Sequence, residues 1–276
     1  MSRRAGLPVL LLCAAALLSG PARAQTLGLG GGGGNDDTPI EIFADNGLEW
    51  QQQGQVFVAQ GNARAVRGDV TVHADRLRAF YRDEASGKSG LWRLDATGGV
   101  RIVGAQQTAY GDQAVYDVDQ QVLVLSGGRP RIESATDRIT ADQQIEYWDA
   151  RQIAVARGNA VAVREDRRLK ADVLVAHFAP DTKGKTTVEL VEAFDHVQVN
   201  TATEQVTANR GTYRMETGIA TLTGSVIITR GQNRLTGCTA TVNLNTGVSR
   251  LRGCGGDAGD RRVRGVILPR ELKDQQ

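Results

Sequence analysis

One offset, repeated six times, constrains this chain more than any other feature. An Ala-Asp pair or its equivalent recurs at Ala74-Asp75, Gly111-Asp112, Ala141-Asp142, Ala171-Asp172, Ala208-Asn209 and Gly237-Cys238. Fourteen residues before each second member stands a turn-former: Gly61, Gly98, Gly128, Gly158, Asp195 or Gly224. Successive pairs are 37, 30, 30, 37 and 29 residues apart. Self-similarity at such a period marks a stacked repeat, in which no unit buries its inner face alone.

The positions between these marks keep a constant character. Two residues after the turn-former stand Ala63, Val100, Pro130, Ala160, Val197 and Val226, and four after stand Ala65, Ile102, Ile132, Ala162, Val199 and Ile228. Mostly polar residues lie between them, including Arg64, Arg101, Arg131 and Gln198. This period-two alternation describes a strand with one buried face. Eleven after the turn-former stand Val72, Ala109, Ile139, Leu169, Val206 and Leu235, so a second strand carries the same face to the Asp corner. The residue before each corner is Ala or Gly, small enough for close approach of two backbone layers. Strands of five to seven residues with glycine turns are expected, and helical periodicity is nearly absent.

The two long intervals hold extra polar hairpin tips at residues 82–90 and 179–187, which are 97 residues apart. At that same shift, 15 of the 31 positions in residues 58–88 are identical. The pattern predicts a tandem duplication of a three-unit module, residues 39–152 and 153–254, packed as one continuous structure. The tail, residues 255–276, is loose apart from a short strand at 263–268 stopped by Pro269.

Ahead of the repeat, Arg3 and Arg4, an apolar run over residues 7–18 and the small-x-small site Ala22-Arg23-Ala24 have the layout of a secretory signal peptide, residues 1–24. A retained anchor is the competing reading. Residues 25–38 form a flexible Gly-rich leader. Its Gly28-x-Gly30-x-x-Gly33 follows no strand and opens no helix, so the dinucleotide fingerprint is discarded. The formal charge is +2, and removal of the signal leaves thirty basic against thirty-one acidic side chains. No positive field argues for nucleic acid.

Chemistry is hard to place on this chain. His73, His177 and His196 stand singly, without ligands at metal spacing, so no metal site and no cofactor are expected. The row Asp75, Asp112, Asp142 and Asp172 fits turn chemistry, in which Asp bonds its own backbone, better than the paired carboxylates of a glycosidase. Gly87-Lys88-Ser89 and Gly184-Lys185-Thr186 spell the end of a P-loop but lack its opening glycine. No catalytic residue is assigned. Cys238 and Cys254 sit at corners of successive units and are expected to form a disulfide after export.

The inward positions are aliphatic and modest in size. They suit either an ordinary filled core or a groove for acyl chains, each buried CH₂ contributing about 0.8 kcal/mol. The residues assigned to such a groove are Val100, Ile102, Ile139, Val197, Val199, Val206, Val226, Ile228 and Leu235. Arg64, Arg101 and Arg131 share one outward position, where they form a solvated face or guide lipid phosphates.

The pattern Gly-x-Val-x-Ile, then apolar-x-Ala-Asp, then an aromatic four to six residues on resembles the OstA-type repeat. Residues 56–81 (VFVAQGNARAVRGDVTVHADRLRAFY) and 219–242 (IATLTGSVIITRGQNRLTGCTATV) show it best. Over residues 39–252 the chain is similar to the periplasmic lipopolysaccharide-transport bridge family, LptA/OstA-like. The resemblance implies an elongated, open, twisted β-jellyroll and a non-enzymatic role. It implies an apolar interior that shields the lipid A chains of lipopolysaccharide. It also implies edge-to-edge stacking with an inner-membrane component, with an outer-membrane translocon, and head to tail with copies of itself. The candidate leading edge is residues 40–50 and the trailing edge 240–251. An unpaired sheet edge is a ready template for another strand, unless the leader or the segment 263–268 covers it. The longer two-module build departs from the simplest bridge proteins. Two rivals remain at this stage: a structural assembly module with a filled core, and a solenoid enzyme acting on polysaccharide.

Overall fold

The computed structural model describes residues 39–82, 90–180, 186–243, 245–246, 248–254 and 262–266. The expected signal peptide and leader, most of both hairpin tips and most of the tail lie outside these residues. Among the described residues are eighteen strands, all paired antiparallel, and one 3-10 turn at Asp149–Arg151. The chain begins with β1 (Glu41–Phe43) and β2 (Leu48–Gln51). Four long strands follow: β3 (Val56–Arg67), β4 (Val70–Arg82), β5 (Gly90–Val103) and β6 (Gln107–Asp117). Four short ones come next: β7 (Val122–Ser126), β8 (Arg131–Ser134), β9 (Asp137–Thr140) and β10 (Gln144–Trp148). Six more long strands are β11 (Ile153–Arg164), β12 (Arg167–Pro180), β13 (Thr186–Asn200), β14 (Gln205–Arg214), β15 (Ile219–Arg230) and β16 (Asn233–Asn243). The chain closes with β17 (Val248–Arg252) and β18 (Arg264–Val266).

The strands are longer than the five to seven residues expected, because each runs through a corner instead of stopping at it. Register breaks between Gln60 and Ala63 in β3, Thr97 and Val100 in β5, Arg157 and Ala160 in β11, Phe194 and Val197 in β13, and Thr223 and Val226 in β15. A bulge of this kind bends the strand sharply. Each long strand therefore gives one half to each of two leaves. The first leaf contains β2, β7, β10 and β17, and the second contains β1, β8, β9 and β18. The result is an all-β, elongated, open jellyroll: two leaves joined along one line of corners, with the opposite rims apart. Successive long strands pair from β3 to β6 and from β11 to β16, and short strands join the two runs on both leaves, β6–β7–β10–β11 on the first and β6–β8–β9–β11 on the second, so the sheet crosses residues 149–153 without a gap.

The turn-formers explain the corners. Gly61 and Asn62 take φ of +78° and +43°, and Gly158 and Asn159 take +84° and +44°. Left-handed backbone of this kind costs glycine nothing and asparagine little. These two corners lie in β3 and β11, twelve-residue strands with the sequences VFVAQGNARAVR and IAVARGNAVAVR and nearly identical burial. In β13 the same bend is made without glycine, by Asp195 and His196 at φ +59° and +49°. The aspartates act differently from the turn chemistry expected of them. Each packs on the left-handed turn of the next strand in the sheet: Asp75 against Gly98, Asp112 against Gly127 and Gly128. Likewise Asn159 Nδ2 donates to Asp142 at 3.0 Å, and His196 Nδ1 meets Asp172 Oδ2 at 2.8 Å.

Behind the corners the leaves are closely packed. Ala63, Ala160 and Ala171 are fully buried. At Gly111 a Cβ would press on Leu125, and at Gly237 on the backbone of Arg252. Two core clusters fill this apex. One gathers Val72, Val100, Ile102, Tyr116, Leu123 and Leu125. The other gathers Ile145, Leu174, Val197, Leu222, Val226 and Ile228.

The leading edge falls where the sequence places it, since β1 and β2 both pair with β3. The trailing edge does not fall on residues 240–251 alone. The second half of β16 is covered by β17, while its first half, 234–236, pairs with β18 from the tail. The tail segment thus adds a strand to the second leaf and becomes its edge. Cys238 on β16 and Cys254 after β17 are joined, with Cα atoms 5.0 Å apart.

Candidate functional site

The groove between the leaves is where the inward residues meet, and it is not uniform. Near the corners it is filled by the two cores. Toward the leading end the leaves diverge around a cleft of about 830 Å³, part of it open to solvent. Ile42, Ala65, Arg67, Val72 and Ile102 line it from the second leaf, and Phe57, Leu77, Tyr81, Leu91, Leu94, Tyr116 and Leu123 from the first. Ile40 joins them from just outside β1. A second cleft of about 540 Å³ lies in the later half, between Leu169, Val197 and Val199 on one leaf and Val191, Tyr213, Ala220 and Leu222 on the other. Apart from Arg67, Arg78 and Asp95 in the first cleft and Thr212 in the second, the lining is apolar or aromatic, which suits hydrocarbon.

The structure places all nine groove residues expected from sequence on the second leaf, in its inward register. Val100, Ile102, Val197 and Val226 are among the largest fully buried side chains and belong to the packed apex. Ile102 also reaches the leading cleft, and Val197 and Val199 reach the second. Ile228 is buried in the later core, and Ile139, Val206 and Leu235 pack partly buried against it. The sequence reading missed the opposite wall. That wall starts two and four residues after five of the six corners, as at Leu77 and Ala79, Ala114 and Tyr116, Leu174 and Ala176, or Ala240 and Val242; after Asp142 it is shifted by one, to Ile145 and Tyr147. The same alternation would have found it once the strand was followed past the Asp.

Arg64, Arg101 and Arg131 lie on the outer side of the second leaf. The register lines up Phe43, Arg64, His73, Arg101, Tyr110 and Arg131 across six neighbouring strands. The Arg64 guanidinium lies 4.3 Å over the Phe43 ring, and that of Arg131 4.0 Å over Tyr110. Burial, then the charges of Arg101 and Arg64, hold the His73 imidazole below its usual pKa. His177 and His196 each meet one carboxylate, Glu192 and Asp172, at 2.8 Å. Among the described residues no three potential metal ligands converge.

The buried ionisable groups are held by their neighbours. Asp95 accepts from Arg93 Nε at 2.6 Å and Arg78 at 3.2 Å. Glu146 accepts from Arg157 Nε at 2.5 Å, Gln144 at 2.7 Å and Trp148 Nε1 at 2.8 Å. Burial opposes the Glu146 charge, but these donors outweigh it and hold its pKa below the usual value. Burial pushes the pKa of Asp149, beside the 3-10 turn, upward. These contacts brace the sheet.

Known proteins resemble this chain to differing degrees. An uncharacterized protein of Rhizobium meliloti (strain 1021) is 29% identical over 128 residues, a match covering 45% of this chain. The match spans 66% of that relative's length, just under two thirds. Set against LptH, the LptA homologous periplasmic component of the lipopolysaccharide transport device of Pseudomonas aeruginosa, the chain gives a TM-score of 0.22 at 10% identity, over 84% of this chain and 96% of that one. The family described as LptA/(LptD N-terminal domain) LPS transport protein matches residues 41–147 and again 138–248, most of the described chain. With two matches in series along one continuous jellyroll, this chain belongs to that LPS transport family.

Proposed function

We propose that this protein is a periplasmic carrier of lipopolysaccharide, exported by a cleaved signal peptide, which shields lipid A acyl chains in its groove. Residues 39–152 and 153–254, read as duplicated modules, act as one conduit. Free strands at both ends join its leaves, edge to edge, to an inner-membrane transport component, to an outer-membrane translocon and to further copies of the chain. The energy for transport comes from elsewhere.

The observation that carries this reading is the apolar leading cleft lying directly behind an edge that no other described strand covers. Ile40, Phe43, Leu48 and Trp50 are all exposed there, although they are large and apolar. Exposed apolar surface on unpaired strands is a feature that soluble proteins suppress unless a partner covers it. A partner strand added at this edge would extend both leaves and prolong the groove.

The test is site-specific photocrosslinking to lipopolysaccharide. Crosslinks are expected from Ile102 and Tyr81, which line the cleft, and none from Arg101 on the outer face. Equal yield from Arg101 would refute the assigned interior. The packed apex around Val100 and Val226 favours one rival, an assembly module with a dry core. Native mass spectrometry that finds no bound lipid after incubation with lipopolysaccharide would favour that rival.

A further inference from the structure

We propose that the two end edges meet, copy to copy, in one defined register that sets Arg250 of one copy opposite Glu49 of the next; the inference rests on the stacking of copies in the reading above. The template for this joint lies inside the molecule. Residues 41–51 and 138–148 match at the 97-residue shift, with Ile42, Ala44, Asp45 and Glu49 repeated as Ile139, Ala141, Asp142 and Glu146. β1 and β2 sit on β3 in the register that β9 and β10 take on β11. Ile42 faces Ala65 as Ile139 faces Ala162, and Leu48 faces Ala59 as Ile145 faces Ala156. The leading edge is therefore a second version of β9 and β10.

The trailing edge repeats β7 and β8 in the same way. Leu251 faces Ala240 two residues past a corner, as Leu125 faces Ala114. A Cβ on Gly237 would press on Leu251 and the Arg252 carbonyl, as one on Gly111 would press on Leu125 and the Ser126 carbonyl. Gly265 on β18 faces Leu235 as Ile132 on β8 faces Ala109. In the middle of the molecule these two kinds of edge are already joined, β7 to β10 and β8 to β9. Carrying that register to the ends sets Leu251 opposite Leu48, as Leu125 stands opposite Ile145. It sets Arg250 opposite Glu49, as Val124 stands opposite Glu146.

The side chains at the ends are complementary in this placement. Glu146 is buried at the internal joint, where Arg157, Gln144 and Trp148 donate to it. At the leading edge the 97-residue shift puts Gln60, Gly47 and Gln51 in place of those donors. Gln51 Nε2 still donates to Glu49 at 3.1 Å, but the arginine is missing. A strand laid over Glu49 would bury a carboxylate without a cation, which is costly. Arg250, standing where β7 has Val124, brings that cation from the other copy. Ser249 adds a second sign. Its Oγ is buried with no hydrogen-bond partner among the described residues, whereas buried hydroxyls are normally satisfied. The joint places Ser249 opposite Trp50, whose indole N–H is a donor. Ser249 also replaces the larger Leu123, leaving room for Trp50 where β10 has Tyr147.

The test uses the chain from Gln25 onward, with self-association followed by analytical ultracentrifugation. E49R and R250E each set like charges across the joint and should weaken association about tenfold or more. The two variants mixed should assemble in alternation, because each then meets an opposite charge at both ends. E49R/R250E should assemble on its own, which also shows that the exchanged charges permit folding. If both single variants associate like the parent chain, the register falls and edge stacking stands. If they weaken association and neither mixing nor the double exchange restores it, the two side chains do not face each other and the inference falls. If the parent chain stays monomeric at every concentration, the edges serve other partners, and the stacking of copies falls together with the inference.

Discussion

The two ends of the groove solve the same problem in different ways. The leading end closes on β1 and β2, short strands carrying Phe43, Leu48 and Trp50, with the wider cleft directly behind them. Trp50 stacks edge-on with Tyr81 at 5.8 Å, and half its surface is still exposed. The trailing end closes on β17 and β18, whose exposed apolar residues are the smaller Val248 and Val266, and a Cys238–Cys254 link ties the corner. One end is aromatic, wide and, among the described strands, paired through its backbone to β3. The other is aliphatic and covalently fixed. A contact between two such unlike edges would run head to tail and propagate in one direction instead of closing on itself. The comparison teaches that polarity is built into the chain before any partner arrives.

The largest expected effects test whether the ends belong to one cooperative unit. Ile102→Ala empties a fully buried site in the leading core and should cost about 2–5 kcal/mol. Calorimetry should show one transition, shifted as a whole; two transitions would mean that the ends fold separately. Next in size is loss of the trailing link. Replacing Cys238 and Cys254 by Ser removes a bridge across a separation of 16 residues and should cost about 3 kcal/mol. Amide exchange should quicken in β17 and β18 and stay unchanged in β1 and β2. Peptide mapping without reductant provides the control, since two free thiols in exported protein would remove the basis of the contrast.

Between the ends, Glu146 offers a reference that should affect neither edge. Glu146→Gln should destabilise by about 1–2 kcal/mol at neutral pH, through the loss of charge-assisted contacts. The folded chain holds the Glu146 pKa below its ordinary value of 4.5, so its contribution is complete above that value. The contribution then disappears as pH falls through the lower, folded value. The two chains' stability curves should therefore converge in acid; a constant gap would assign the effect to packing. Smallest in stability and largest in assembly is the edge itself. Trp50→Lys should change the unfolding free energy by less than about 0.5 kcal/mol. It should abolish end-to-end association in sizing and crosslinking experiments. If Trp50→Lys leaves association intact while Val248→Lys on the trailing edge abolishes it, the roles assigned to the two ends must be exchanged.

Much of this was legible in the residues. The offset from turn-former to Asp corner fixed the corners, the inward parity of Val100 and Ile102, and the outward parity of Arg64 and Arg101. These are local matters: alternation and left-handed turns depend on a few neighbours in the chain. The sequence reading ended each strand at its corner, because a bulge and a turn both show as glycine followed by a polar residue. It therefore found one wall of the groove and not the other. The tail strand was foreseen as a segment able to cover an edge, but which edge it would cover was left open.

What the sequence determined by itself is the unit: a strand bent at a left-handed corner, apolar on one side, six times over. What only the tertiary structure decided is how far the leaves part. Whether an inward valine ends in a packed apex, as Val226 does, or beside a cleft, as Val199 does, depends on its distance from the corner and on the side chain facing it from the other leaf. That facing residue is set by the bulge and by pairing across the stack. Its identity is therefore a property of three strands together and cannot be read from any one of them.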